Sequence, residues 1–281
     1  MKGMEEEHPV KELCAAFGVS RSGYYAWLAR KPGPRAMADA DLSSKLRLAH
    51  DESRRTYGCP RLAAVLRRQG LKIGRRRVRR LMRAAGRSGL RRRRWVPRTT
   101  DSGHDHPVAP NRLAEASKPV QRDRIWVTDI TYVPTDEGWL YVAGVMDLWS
   151  RRVVGLAMDG HLRTGLVVDA LRQARLGRRP PEGCLHHSDR GCQYASAEYR
   201  LVLKAFGLEP SMSRPGNCYD NAAMESFWST LKNELVHRNT FATRAEARSA
   251  IFEYVEVFYN RMRLHSALDY MSPVDFENKN N

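Results

Sequence analysis

Three of the chain's 31 acidic residues sit where their neighbours make a carboxylate costly or informative. Asp129 lies inside RIWVTDITYVP (124–134) and alternates with Ile125, Val127, Thr131 and Val133, on an otherwise apolar strand face. A carboxylate buried there is costly unless a positive charge meets it. Asp189 ends the strand-like CLHHSD, where HHSDRGCQY turns into a glycine-containing loop. Strand C-termini are frequent functional positions in α/β sheets. Glu225 borders the apolar stripe Met224, Phe227, Trp228, Leu231 and Leu235 of a predicted helix. Between Asp189 and Glu225 lie 35 residues, and Lys232 follows seven after Glu225. On a helix Lys232 falls about 20° from Glu225 around the axis, whereas Glu234 falls nearly opposite. If the three acids converge they repel one another, and divalent cations resolve that conflict. Ligands that are all oxygen suit Mg²⁺ or Mn²⁺. Two such ions about 3.5–4 Å apart stabilise the attacking and the leaving oxygen of a phosphodiester.

The elements that must bring these acids together are legible in the pattern. RIWVTDITYVP is apolar on both faces, which predicts a central strand. TDEG is a turn, WLYVAGVMDLW a second strand and RVVGLAMDG a third, so the sheet opens with three antiparallel strands. RTGLVVDALRQARL predicts a helix, CLHHSD a fourth strand, SAEYRLVLKAFG a helix and LEPSMS a short fifth strand. In SRPGNCYDN, Pro215 and Gly216 break regular structure, and Asn217 and Asp220 are capping types ahead of the Glu225 helix. The order βββαβαβ and a helix fits an α/β ribonuclease-H-like sheet, where the first strand, the fourth strand and that helix are neighbours. TRAEARSAIFEYVEVFYNRMR reads as a long final helix.

The net charge of +17 is concentrated. Between Arg61 and Arg98 stand 15 Arg, one Lys and no acid, and the rest of the chain is nearly neutral. A solvated surface mixes both signs, so this block points to a polyanion. It contains RLAAVLRRQ and RRRVRRLMRAAG joined by GLKIG, a second helix-turn-helix pattern. Val78, Leu81, Met82 and Ala85 face inward, while Arg75, Arg76, Arg79, Arg80 and Arg83 face out. Upstream, residues 8–30 form two short helices about Gly18 and Val19, with Ser20 as the cap of the second. That segment fits a helix-turn-helix or a plain helical hairpin equally. Pro97, Pro107, Pro110 and Pro119 mark residues 97–123 as a linker. The expected organisation is 8–30, a basic helical DNA-binding module at 38–96, the linker, an α/β core at 124–240, and a C-terminal helix and tail at 241–281.

Several patterns carry less. The five cysteines are odd in number and scattered, which argues for a reducing compartment. No apolar run of 18 residues predicts a membrane span, and MKGMEEEHPV has no apolar stretch for a secretory signal. His104 and His106 lack cysteine partners at zinc spacing. Cys184, His186, His187 and Cys192 surround Asp189, but strand alternation sends the two histidines to opposite faces, leaving His187 on the Asp189 side. Asp136, Glu137, Asp147 and Asp220 are expected to be solvated or capping. Asn260, Arg261, Arg263 and His265 fit a DNA-contacting patch or the polar end of a helix.

WVTDITYV, HHSDRGCQYAS, DNAAMESFWSTLKNEL and YNRMRLHSALDYMSP resemble signature segments of insertion-sequence transposases with a retroviral-integrase core. They are most similar to the OrfB type of the IS-three family, from GVSRSGYYAW onward. The resemblance implies a DDE triad at Asp129, Asp189 and Glu225, binding a pair of Mg²⁺ or Mn²⁺ ions. It implies cleavage at element ends to free a 3′-OH and attack of that hydroxyl on another phosphodiester. It also implies multimers on paired DNA ends, an OrfA product as fusion or partner, and cytoplasmic, nucleoid-associated action. Cys192 stands where serine is expected. Lys232 is placed to contact a DNA phosphate. The alternatives are a ribonuclease-H-type nuclease or resolvase without strand transfer, and a DNA-binding regulator with an inactive core. The intact acids disfavour the regulator, and the N-terminal modules and signature segments disfavour the nuclease.

Overall fold

The computed structural model of the protein describes residues 2–90, 107–214 and 221–280. Pro97, His104, His106, Asn217, Asp220 and the arginines at 91–94 and 98 lie outside them. The chain opens with α1 (Val10–Ala16) and α2 (Arg21–Leu28). Gly18 takes a left-handed φ of 63° between them, and the Ser20 hydroxyl accepts from Gly23 N at 3.0 Å to cap α2. Next come α3 (Pro34–Glu52), α4 (Cys59–Arg68) and α5 (Arg75–Ala84). Their apolar stripes meet in a core of Leu42, Leu46, Leu62, Leu66, Val78 and Leu81, all buried.

The α/β part is a five-stranded sheet of β1 (Ile125–Thr135), β2 (Gly138–Asp147), β3 (Val153–Asp159), β4 (Cys184–Ser188) and β5 (Leu208–Met212). Their spatial order is β3-β2-β1-β4-β5, so β1 is central, as its two apolar faces predict. β1, β2 and β3 are antiparallel neighbours, and β4 and β5 run parallel to β1. One face of the sheet is covered by α6 (Thr164–Arg178), α7 (Cys192–Ala195) and α8 (Ala197–Ala205) around Trp126, Val145 and Leu171. The other face carries α9 (Ala222–Glu234) and α10 (Arg244–Glu253), with Val127, Val142, Phe227 and Leu231 in its core. No described helix is long and apolar enough to cross a membrane.

The C-terminal segment departs from the expected single long helix. After Glu253 the helix widens into a π-helical turn over Tyr254–Tyr259, and α11 (Pro273–Asn280) follows as a separate last helix. The wider turn drives Tyr254, Val255, Phe258 and Tyr259 into the same core as α9. Pro273 opens α11, where a missing N–H is harmless. Asn260, on a helix end expected to be polar, is buried against β3: its side chain accepts from Val153 N at 3.0 Å and donates to Val153 O at 2.9 Å.

The helical module and the core share one apolar cluster. The Tyr57 hydroxyl accepts from Leu264 N at 2.6 Å, and Arg54 pairs with Glu253 while its guanidinium lies 4.6 Å from the Phe258 ring centre.

Candidate active site

Strand register places the first two acids. β1 and β4 pair in parallel with Val127 opposite His187, so Asp129, still within β1, and Asp189, one residue past the end of β4, stand at the same height side by side. Asp129 faces α9. Its Oδ1 accepts from Ile130 N at 2.8 Å, and its partner across β2 is Gly144. Asp189 Oδ1 accepts from Gly191 N at 3.0 Å, a bond that closes the glycine-containing loop on the carboxylate.

Glu225 comes from the first turn of α9, at the solvent edge. The start of α9 is fastened to β1 beside Asp129, because Asn221 Nδ2 donates to Thr128 O at 3.1 Å. Burial raises the Glu225 carboxyl above its usual range. Asp129 is pushed well above its own, first by burial, then by the negative charges of Asp189 and Glu225. Asp129 therefore senses both of the other acids. Among the described residues, no three His, Cys, Asp or Glu side chains are gathered closely enough to hold an ion ready-made. The donor set still fits a divalent cation: all three are carboxylates, and a cation would reverse the two effects that raise Asp129.

Lys232 is buried on the same helix, with Nζ 4.8 Å from the centre of the Tyr132 ring. Burial pulls its ammonium down to about 8, against the opposing pull of the Asp129 anion. His186 and His187 do point to opposite faces. His186 Nε2 lies 3.1 Å from the Tyr199 hydroxyl, and burial lowers its imidazole to about 3. His187 is held between Ser211 Oγ at 2.8 Å and Ser213 Oγ at 3.0 Å, so both ring nitrogens tie β4 to the end of β5.

Two other acids are more deeply used than expected. Asp147 is fully buried, not solvated. It accepts from Ser150 N and Oγ and from Asp123 N, and so fixes the β2–β3 turn and the entry to β1. Glu234, opposite Glu225 around α9, is the centre of a buried network. It accepts two bonds from Arg263, at 2.7 and 2.9 Å, and one from the Tyr254 hydroxyl at 2.8 Å. Arg61 of α4 stands 3.8 Å away. Hydrogen bonds from Arg263 hold the Glu234 carboxyl below its usual range despite burial. Arg263 is therefore a core counterion rather than a DNA-facing group, and only its partner Glu234 could have signalled this. Glu137 stays in an exposed turn and accepts from Arg244 N at the start of α10.

Arg75, Arg76, Arg79, Arg80 and Arg83 all lie on the exposed face of α5, opposite Val78, Leu81 and Met82. Arg80 is additionally paired with Asp39 of α3, an anchor it shares with Arg77.

Known proteins share this organisation. Residues 38–95 match an HTH-like domain model, and residues 119–218 and 225–280 match two integrase core domain models. A 31 kDa protein of insertion element IS600 from Shigella sonnei, itself uncharacterized, is 46% identical over 267 residues, covering 95% of this chain and 98% of that one. Transposase InsF of insertion sequence IS3A from Escherichia coli K12 is 40% identical over 281 residues, covering 98% of this chain and 96% of that one. A simian T-cell lymphotropic virus intasome chain aligns at a TM-score of 0.49 and 14% identity over 83% of this chain and 74% of its own. With 40% or more identity to two such proteins over nearly its full length, the chain belongs to the IS3-type insertion-sequence transposases that carry an integrase core behind an HTH-like module.

Proposed function

We propose that this chain carries out DNA transposition as a DDE enzyme, with Asp129, Asp189 and Glu225 together holding two Mg²⁺ or Mn²⁺ ions. The observation that carries this is the half-buried Asp129 on the α9 face of the sheet, in register with Asp189 across the β1–β4 pair, its carboxyl raised by desolvation and by the other two acids. A site that assembles negative charge in this way is completed by cations. Bound there, the ions would stabilise the attacking and the leaving oxygen of a phosphodiester. The chain's own residues do the positioning. Gly191 N holds Asp189, Asn221 holds the α9 start against β1, and α9 presents Glu225 at the solvent edge where DNA enters. Hydrolysis at an element end frees a 3′-OH, and transesterification by that hydroxyl joins it to a second strand.

Arg75, Arg76, Arg79, Arg80 and Arg83 make the backbone contacts of the 38–96 module. Lys232, now buried against Tyr132 beside Asp129, meets a phosphate of the DNA end by turning out from that ring. The active form is a multimer on paired ends, with an OrfA product as fusion or partner supplying end recognition, acting on nucleoid DNA in the cytoplasm. The chain alone is then expected to prefer element ends only weakly over random DNA, and strong discrimination in a gel-shift competition would contradict that division of labour. End cleavage and strand transfer by Asp129→Asn, Asp189→Asn and Glu225→Gln proteins test the triad. Loss of both reactions in folded protein is expected, and cleavage near the wild-type rate with Mg²⁺ would sink the assignment.

A further inference from the structure

Trp228 stands one helical turn after Glu225 and is 5% exposed. Its six-membered ring lies over Gly144, where an added Cβ would come within 3.0 and 3.1 Å of the indole. Gly144 is the β2 residue paired with Asp129, so the ring rests directly beside that carboxylate on the α9 face of the sheet. A buried indole N–H ordinarily finds an acceptor. Among the described residues, the Trp228 Nε1 has no hydrogen-bond partner of good geometry. The carboxylate with which the indole interacts is Asp129. An aromatic that served only to fill the core could be rotated to bring its N–H to an acceptor or replaced by phenylalanine. Here the ring is fixed by the missing side chain at Gly144, and its buried, unpartnered N–H is left on the Asp129 side of the sheet.

We infer that Trp228 is a positioning residue for the metal-binding carboxylate: its indole N–H donates to Asp129 and fixes which oxygen faces the cations. This rests on the reading of Asp129 as a metal ligand. Groups that hydrogen-bond a ligating carboxylate orient it, and removing them typically weakens metal affinity or activity by about 10–100-fold. Gly144 is part of the device, since a methyl group there would push the indole off the strand.

The chain has six tryptophans, so ¹⁵N-labelled protein gives up to six indole N–H signals. Titration with Mg²⁺ is expected to move one of them, the signal absent from Trp228→Phe protein. In Asp129→Asn protein that signal is expected to be displaced before metal is added and to ignore Mg²⁺. Trp228→Phe is expected to need about tenfold more Mg²⁺ for half-maximal end cleavage, while its rate at saturating Mg²⁺ stays within a few-fold of wild type. Should Trp228→Phe fail to fold, the wild-type and Asp129→Asn titrations still decide. Metal-dependent cleavage with every indole signal unmoved by Mg²⁺ would overturn the role of Trp228 alone. Cleavage that needs no divalent metal would overturn the metal site, and this role with it.

Discussion

The two ends of α9 treat an acid in opposite ways. At the C-terminal end, Glu234 receives two bonds from Arg263 and one from Tyr254, and its carboxyl is held low. At the N-terminal end, Glu225 lies at the solvent edge, and Asp129 is pushed well above its usual range by burial and by the charges of Asp189 and Glu225. A second structural acid repeats the first pattern: Glu277 of α11 takes three bonds from Arg178 and Arg152, and its carboxyl is also held low. Where an acid serves the fold, the protein supplies the cation from its own chain. On the function proposed above, the acids around the start of α9 are completed by cations from solution.

The largest effect expected from this contrast is on activity. Asp129→Asn, Asp189→Asn and Glu225→Gln should each lower end cleavage by about three orders of magnitude or more, the scale of removing one member of a catalytic set. Circular dichroism should show all three folded.

The next is on stability. Glu234→Gln leaves Arg263 buried without its anion, a loss of about 3–5 kcal/mol for broken buried pairs. Denaturant unfolding should show that loss while Glu225→Gln changes stability little or raises it. Position around the helix alone predicts that Glu234→Gln leaves catalysis nearly intact; the buried partners of Glu234 add the loss of stability.

That difference marks what local pattern could reveal. Asp129 on an apolar strand face, Glu225 at the edge of a helical stripe and the arginine face of α5 are all short-range signals, visible through a period of 2 or 3.6, and the 35-residue interval between Asp189 and Glu225 was legible only through the family resemblance. Glu234 and Arg263 are 29 residues apart, and nothing in either segment names the other. Asn260 clasping Val153 across 107 positions, the π-helical turn at Tyr254 and the buried turn around Asp147 are equally silent, because their partners are fixed only once the sheet has formed. Trp228 was legible as a core residue, but its relation to Asp129 depends on a glycine in the neighbouring strand.

A smaller effect should follow pH. A raised carboxyl binds its proton more tightly in the folded chain, so metal-free protein should lose stability as pH rises from the ordinary value of 3.8 through the raised value of Asp129. Glu234 acts in the opposite sense. Its contribution is complete above the ordinary value of 4.5 and is lost as pH falls through its lowered one. Melting curves in chelator should therefore show Asp129→Asn gaining on wild type as pH rises above about 4, and a constant difference would contradict the burial of that charge.

The smallest per-residue effect belongs to α5. Neutralising several of Arg75, Arg76, Arg79, Arg80 and Arg83 should weaken binding to all DNA sequences alike and reduce the slope of log affinity against log salt by about 0.9 per lost phosphate contact. Arg80 should contribute less than the others, since Asp39 already holds it. An unchanged slope would mean that this face is not the DNA footprint.

The central claim is that the acids at the start of α9 await an external cation and the acid at its end does not. It is tested most directly by the melting temperature of wild-type, Asp129→Asn and Glu234→Gln proteins across a Mg²⁺ titration at neutral pH. Wild type should rise with Mg²⁺, Asp129→Asn should start at or above metal-free wild type and stay flat, and Glu234→Gln should start lower and rise by as much as wild type. A Mg²⁺ response that survives Asp129→Asn, or one that is lost in Glu234→Gln alone, would contradict the assignment.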